Sequence, residues 1–493
     1  MYRKDWISKW AQLTPHNVAV EECETGRSLT YMECNERAEN LSGHLIQNYE
    51  LKTGDRVMVL AEHALEYVIL FSMMQKTGIT LVPINYRLAN SEINYLIQNC
   101  NPTLFISEHK FQEKVNDLEI NVTITWFEDL AKMSKTKPTF PYSPVETSED
   151  HPAFILYTSG STGFPKGAIY SHKMLFWNSI NTSQSLEITT EDHTINCMPP
   201  FHTGGWNVLL TPLLHRGATV ALMKKFDPEQ LLRLIDQKQS KLFMGVPTML
   251  KMMADCSLFH ASSLASLRYF VVGGEALPLD VIRKWHQKGV KIRQGYGLTE
   301  VGPNITSLHQ DDAESKIGSI GHANFYVDYK IVNEKGERVG SNEIGEFWLK
   351  GPMVTPGYWQ DQKATDAAIT DGWFHTGDLV REDDDGYLYV VDRKKSMFIS
   401  GGENVYPAEV ERVLRTFPSV DEAAVVAVPD QKWGEVGKAY ITIRPGQECQ
   451  VDQIRQFCMD HLAKFKVPRY FEFIPEMPKN GSGKIDRKLL TKK

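Results

Sequence analysis

Residues 154–167 read Phe-Ile-Leu-Tyr-Thr-Ser-Gly-Ser-Thr-Gly-Phe-Pro-Lys-Gly, an apolar run that passes into hydroxyls, glycines and a single lysine. The apolar half suits a buried strand, and the half rich in hydroxyls and glycines can wrap phosphates. Gly160 and Gly163 let successive backbone N–H groups turn toward one anion, Thr158, Ser159, Ser161 and Thr162 add hydroxyl donors, and Lys166 adds charge. The spacing departs from a P-loop, because no glycine directly precedes Lys166 and Gly167 stands where Ser or Thr would follow it, so a P-loop ATPase or GTPase is disfavoured. Most stretches rich in Ser, Thr and Gly are solvated linkers. The strand leading straight in favours phosphate instead.

Other residues gain meaning only from their surroundings. Gly295-Tyr296-Gly297 taken alone is a plain turn, and Glu300 behind it an acid at a helix start. Asp378 reads as a turn aspartate after glycine, Arg393-Lys394-Lys395 as a solvated surface run, and Lys484 as decoration of a tail.

The elements that must position these groups are legible in the pattern. From residue 56 onward, apolar runs alternate with helix-period segments: strands at 56–61, 79–85 and 103–107, helices at 65–75 and 92–99. A second set of strands begins near Phe154 and continues at 194–198, 219–223, 241–246, 269–272 and 291–294. Beyond about Asp311 come short strands punctuated by glycine, at 329–332, 345–350 and 387–391, as in a barrel-like segment. The tail predicts helices at 407–415 and 451–462 and strands at 422–428 and 439–443. The expected fold class is therefore α/β: a large N-terminal domain of two doubly wound sheets plus a β-barrel-like subdomain, with a small C-terminal α+β domain.

At 493 residues the chain exceeds the size at which one core keeps growing. Its formal net charge of -7 argues against nucleic acid as a partner. Seven scattered cysteines without a CxxC pair suggest neither zinc nor a disulfide framework, and the start of the chain lacks a signal-peptide pattern, with Trp6, Trp10 and Leu13 on one helical face. The longest apolar stretch, 67–74, is too short to span a bilayer. These readings place the chain in the cytoplasm, with reduced thiols. The basic last third of the tail could meet the phosphates of a ligand or also a membrane surface, and a homodimer is left open.

From the loop ending at Lys166 onward the sequence resembles the adenylate-forming superfamily of acyl- and aryl-CoA synthetases, peptide-synthetase adenylation domains and beetle luciferases. Further signatures come in order: Gly273-Gly-Glu-Ala276, Tyr296-Gly-Leu-Thr-Glu300, Gly345-Glu346, Gly357-Tyr-Trp359, Trp373-Phe-His-Thr-Gly-Asp378, Asp392-Arg-Lys-Lys395, Gly401-Gly-Glu-Asn404 and Gly481-Ser-Gly-Lys484-Ile-Asp-Arg487. The resemblance implies ATP, Mg2+ and coenzyme A as ligands and co-substrate. It implies that Glu300, with Thr158, holds the magnesium, that Thr299 contacts the attacked phosphate, and that Tyr296 lies along the adenine between Gly295 and Gly297. Gly274, Glu275 and Ala276 would line the other side of the base. Asp378 would accept hydrogen bonds from the ribose hydroxyls, with Arg393 reaching the ribose or phosphate. Lys484 would be brought to the acyl carboxylate and α-phosphate during adenylation, where a cation stabilises developing charge.

Lys395 matches a hinge, so the resemblance divides the chain into a large domain at 1–392, a hinge at 393–395 and a small mobile domain at 396–493. Gly401 and Gly402 would line a pantetheine channel after rotation. His202, in Phe201-His-Thr-Gly-Gly-Trp206, matches a position beside the acid's carboxylate, or is a satisfied core histidine; Trp206 would bound the acyl pocket. The implied reaction is formation of an acyl-adenylate plus pyrophosphate, then acyl-CoA plus AMP. The Phe201–Trp206 segment looks most like fatty-acyl members, which points to medium- or long-chain fatty acids. An aryl-acid–CoA ligase and a stand-alone amino-acid adenylation domain are the alternatives. The nine residues after Lys484 leave no room for a fused carrier domain, and Phe201-His202 stands where amino-acid-activating members often carry aspartate, which disfavours the last.

Overall fold

The computed structural model describes residues 3–158, 165–274, 277–400, 403–480 and 483–491. The expected site residues Ser159, Gly160, Ser161, Thr162, Gly163, Glu275, Ala276, Gly401 and Gly402 lie outside them. The chain forms two compact units, Met1–Tyr329 with Leu349–Phe374, and Lys330–Trp348 with His375–Lys493. Compactness thus groups residues 330–348 and 375–392 with the tail, a division drawn at different residues from the 392/393 boundary expected for a rotating domain.

The first unit is built on two sheets. In one, the strands Thr123–Trp126, Leu104–Ser107, Arg56–Leu60, Thr80–Pro83 and Pro152–Thr158 run parallel, and Lys166–Ser171 closes the edge antiparallel to the last. Strands covered on both faces need near-continuous apolar sequence, which Val57-Met-Val-Leu60 and Leu104-Phe-Ile106 supply; all are fully buried. The other sheet has nine strands. Its centre is parallel, running Lys291–Leu298, Tyr269–Val272, Leu242–Gly245, His193–Asn196, Thr219–Leu222 and Val18–Glu22. The hairpin strand Gly302–Ser307 extends one side.

Two features of this sheet escape sequence pattern. Val18–Glu22 pairs with Thr219–Leu222 some two hundred residues later, a long-range match that local periodicity cannot announce. Lys291–Leu298 carries on past the apolar run into Gly-Tyr-Gly-Leu, because the following residues fold back as a hairpin and keep its backbone paired.

Helix Leu65–Thr77 is buried along its whole length and shares one core with strands of both sheets, including Val57, Phe154, Val220 and Leu242. That burial explains why its sequence is apolar on all sides. Its Lys76 ammonium is neutralised by Asp5 at 2.8 Å. In helix Trp6–Leu13 the expected shared face holds for buried Trp6 and packed Trp10 but not for Leu13, which ends the helix 56% exposed.

The second unit contains most of a five-stranded sheet, in which Trp373–Glu382 and Leu388–Arg393 pair antiparallel. Its C-terminal part is α+β: the hairpin Val420–Asp430 and Gly434–Ile443, extended by Tyr470–Phe473, is covered by helices Pro407–Arg415 and Val451–His461. Among the described residues, no helix is long and apolar enough to cross a membrane, and all seven cysteines are free thiols.

Candidate active site

In the first unit, the strand entering residues 159–165 and the strand leaving them are partners, with Thr158 opposite Lys166. The leaving strand is flanked by residues 355–359: the Trp359 N–H donates to the Gly167 carbonyl at 2.7 Å and the Ile169 N–H to that of Gly357 at 3.0 Å. This strap also holds the turn between Lys291–Leu298 and Gly302–Ser307, because the Thr355 N–H donates to the Glu300 carbonyl at 2.7 Å. Glu300 therefore sits in a hairpin turn. Its reading as a helix-start acid is corrected, since the chain reverses at residues 299–301 and pairs with itself.

The three segments bring four side chains together. Glu300 Oε1 accepts hydrogen bonds from Tyr358 Oη at 3.0 Å and Thr158 Oγ1 at 3.3 Å, and the Lys166 ammonium lies 5.3 Å from the centre of the Tyr358 ring. Among the described residues no hydrogen bond reaches Glu300 Oε2. One carboxylate oxygen held by two hydroxyls and one open suits a hard cation that takes a single protein carboxylate and completes its shell with phosphate and water. No cluster of three His, Cys, Asp or Glu able to hold a metal occurs among the described residues. Burial, followed by the neighbouring Glu300 charge, pushes the Tyr358 phenol far above its ordinary value, so it stays a donor at any physiological pH.

Tyr296 and Thr306 face each other across the same hairpin, and Gly274 follows strand Tyr269–Val272, which pairs alongside Lys291–Leu298. Gly274, Gly295, Tyr296, Gly297, Thr299 and Glu300 therefore occupy the ends of adjoining strands, where ligands bind in open α/β sheets.

The loop Met198–Gly205 leaves the end of the next strands. His63, at the end of strand Arg56–Leu60, donates from Nε2 to the Met198 carbonyl, and Asn196 Nδ2 donates to the Gly205 carbonyl at 2.8 Å. His202 caps the short helix Thr203–Asn207, its ring 4.6 Å from that of Phe201, which meets Tyr86 edge-on at 5.2 Å. A Cβ on Gly204 would lie 3.6 Å from the Met244 methyl and 3.8 Å from that of Met198, so two thioethers and a missing side chain shape the space beside His202. Trp206 does not bound it. The indole is fully buried among Tyr67, Phe71 and Phe154 and donates to the Pro200 carbonyl at 2.6 Å, because the helical turn starting at Thr203 rotates it into the core.

In the second unit, Asp378 and Arg393 are ladder partners joined by a 2.6 Å ion pair, the carboxylate nearly inaccessible and the guanidinium exposed. Asp378 lies within strand Trp373–Glu382 and not in a turn; Thr376 steadies the strand there, donating to the Phe347 carbonyl at 2.7 Å and accepting from the Asp378 N–H at 3.0 Å. Lys395 is exposed two residues on; partial desolvation and then the nearby Arg393 and Lys488 charges lower its ammonium below the usual value, against the pull of Asp378. Lys484 is exposed in a turn whose Asn480 caps its N–H at 3.2 Å. Three residues on, Arg487 grips both oxygens of buried Glu411 at 2.7 Å, tying the turn to helix Pro407–Arg415. Residue type alone singles out none of Tyr358, Thr376, Glu411 and His63: each works through a partner distant in sequence, and only Gly357-Tyr-Trp359 offers a signal.

Two family models match the chain, AMP-binding enzyme over residues 7–359 and AMP-binding enzyme C-terminal domain over residues 409–484. A feruloyl-CoA synthase of Amycolatopsis is 35% identical over 97% of this chain and 96% of its own. A long-chain-fatty-acid–CoA ligase of Mycobacterium tuberculosis is 32% identical over 97% and 96%. The structure of o-succinylbenzoate coenzyme A synthetase from Bacillus subtilis with ATP and magnesium superposes with a TM-score of 0.88 at 28% identity, covering 99% of both chains.

Proposed function

The chain belongs to the AMP-binding enzyme family, and on that footing we propose how its residues divide the work and which acid they activate. It is an AMP-forming acid–thiol ligase that joins a carboxylic acid to coenzyme A with ATP and Mg2+.

The observation that supports the residue assignment is the convergence of Thr158, Lys166 and Glu300 around Tyr358, with Thr158 and Lys166 at the two ends of the segment read as the phosphate loop. Glu300 Oε2, with Thr158, would hold magnesium, which neutralises phosphate charge. Lys166 would grip the triphosphate, Thr299 would meet the attacked phosphate, and Tyr296 with Gly274, Gly295 and Gly297 would bound the adenine. Asp378, prealigned by Arg393 and Thr376, would accept from both ribose hydroxyls. Lys484 would enter for adenylation only and then leave, turning about 393–395, so that the thiol can reach the acyl carbon from the channel beside 401–402. His202 would orient the acid's carboxylate.

We assign an aryl acid as the substrate. Met198 and Met244 flank Gly204, and Phe201 and Tyr86 stand nearby; thioethers around a missing side chain favour contact with an aromatic ring. The aryl names of two relatives support this reading. The second reading, a medium- or long-chain fatty acid, is favoured by the Phe201–Trp206 segment and by the mycobacterial relative. Pyrophosphate exchange with ferulate, benzoate, octanoate, palmitate and phenylalanine separates them: exchange fastest with an aryl acid is expected, and fastest exchange with palmitate rejects that assignment in favour of the second.

A further inference from the structure

Tyr358 is anchored by backbone bonds on either side of it, those of Gly357 and Trp359 to the strand that carries Lys166. Its backbone faces Ala168 in an isolated bridge. Its ring position is therefore set by the same strand that places Lys166, while its hydroxyl reaches the hairpin turn that carries Glu300. One side chain thus touches the two charged groups of opposite sign on which the nucleotide site depends. Nothing else among the described residues donates to the Glu300 carboxylate except Thr158, itself assigned to the metal.

We propose that Tyr358 is a positioning residue with two separable effects: its hydroxyl holds Glu300 Oε1 so that Oε2 is presented to magnesium, and its ring seats the Lys166 ammonium facing the phosphates. The inference rests on the reading of Glu300 as the magnesium ligand. A hydrogen bond that orients a metal-binding carboxylate commonly changes metal affinity about 10–100-fold, and an ammonium over an aromatic face is held by the ring's negative face.

The two effects separate in ATP binding measured by calorimetry without acid, so that no turnover occurs, first in EDTA and then across a magnesium titration. Tyr358→Phe keeps the ring and loses the hydroxyl. It is expected to bind ATP in EDTA as the wild type does and to require about tenfold more Mg2+ for half-saturation. Tyr358→Leu should show the same magnesium requirement and, in addition, ATP affinity in EDTA weaker by about threefold or more, as expected when a cation loses its aromatic seat. Melting temperatures establish that each variant is folded. An unchanged magnesium requirement in Tyr358→Phe overturns the inference, as does an equal loss with and without magnesium. Glu300→Gln tells the two failures apart: if it raises the magnesium requirement while Tyr358→Phe does not, only the role of Tyr358 falls, and if it leaves the requirement untouched, the metal-ligand reading falls with it.

Discussion

Replacing Gly297 by alanine probes whether the hairpin geometry behind Glu300 matters to the chemistry. A Cβ at this position would lie 2.3 Å from the Pro303 carbon, 2.4 Å from the Gly302 oxygen and 2.5 Å from the Pro303 oxygen. All three are backbone atoms of the facing strand, so no side chain can swing aside. Contacts of real Cβ atoms essentially never fall below 3.0 Å, so the strands must part by about 0.7 Å at least. The ladder already shifts register between Tyr296 and Leu298, and further separation would be transmitted to the turn at 299–301. Forcing atoms into a packed site costs about 1–3 kcal/mol, and a misplacement approaching 1 Å in a reacting constellation costs up to about 10²-fold in rate. Gly297→Ala should therefore lower the urea midpoint modestly and the pyrophosphate-exchange rate by roughly 10–100-fold. Gly274→Ala is the comparison for stability alone: φ is +90° and nothing lies within 4 Å of the new Cβ, so its urea midpoint should register only backbone strain of about 1–3 kcal/mol. Exchange at the wild-type rate in Gly297→Ala, with an unchanged midpoint, would mean that the turn does not depend on this close approach.

Three further outcomes are expected. Lys484→Ala should lose adenylation by about 10²–10³-fold yet still convert supplied acyl-adenylate and CoA to thioester; equal loss in both half-reactions, measured by stopped flow, rejects a role confined to the first. Asp378→Asn removes the buried charge that holds Arg393 at 2.6 Å and should weaken ATP binding about tenfold or more, a change of about 1.5–3 kcal/mol for one charged hydrogen bond, while deoxy-ATP binding should respond less. Burial lowers His63 to about 4, and lowers His172 and His215 to about 3. The unfolded chain takes up protons near pH 6.5 that these folded groups refuse, so the stability they supply is complete above that pH and is lost as pH falls toward 4 and 3. The loss by pH 5 is on the order of 2 kcal/mol for each. Urea midpoints at pH 7 and pH 5 check it, and equal midpoints would show that the three rings are not held neutral.

Much of the fold is legible in the chain because buried parallel strands demand apolar runs, and those at 56–60, 104–107 and 269–272 are unmistakable. The features that pattern does not reveal depend on partners far away. Val18–Glu22 finds its sheet through Thr219–Leu222, and the short helix Thr203–Asn207 after His202 carries Trp206 into the core. The same holds for the candidate residues within each unit. Thr158, Lys166, Glu300, Asp378, Arg393 and Arg487 stand out as motif residues, whereas their partners, Tyr358 on Glu300, Thr376 behind Asp378 and Glu411 beneath Arg487, act through hydrogen bonds set by strand register and helix placement. An ion pair such as Asp378–Arg393 is written into the sequence as two motifs; that they are neighbours is written in the ladder.

Product stoichiometry in one reaction decides whether the site makes an acyl-adenylate on the way to a thioester: purified enzyme, ATP, Mg2+, CoA and an aryl acid, with AMP, pyrophosphate and thioester measured together. One AMP and one pyrophosphate should appear for each acyl-CoA, with no ADP, and omission of CoA should leave exchange of pyrophosphate into ATP intact. Formation of ADP and phosphate, or thioester without AMP, is incompatible with that chemistry.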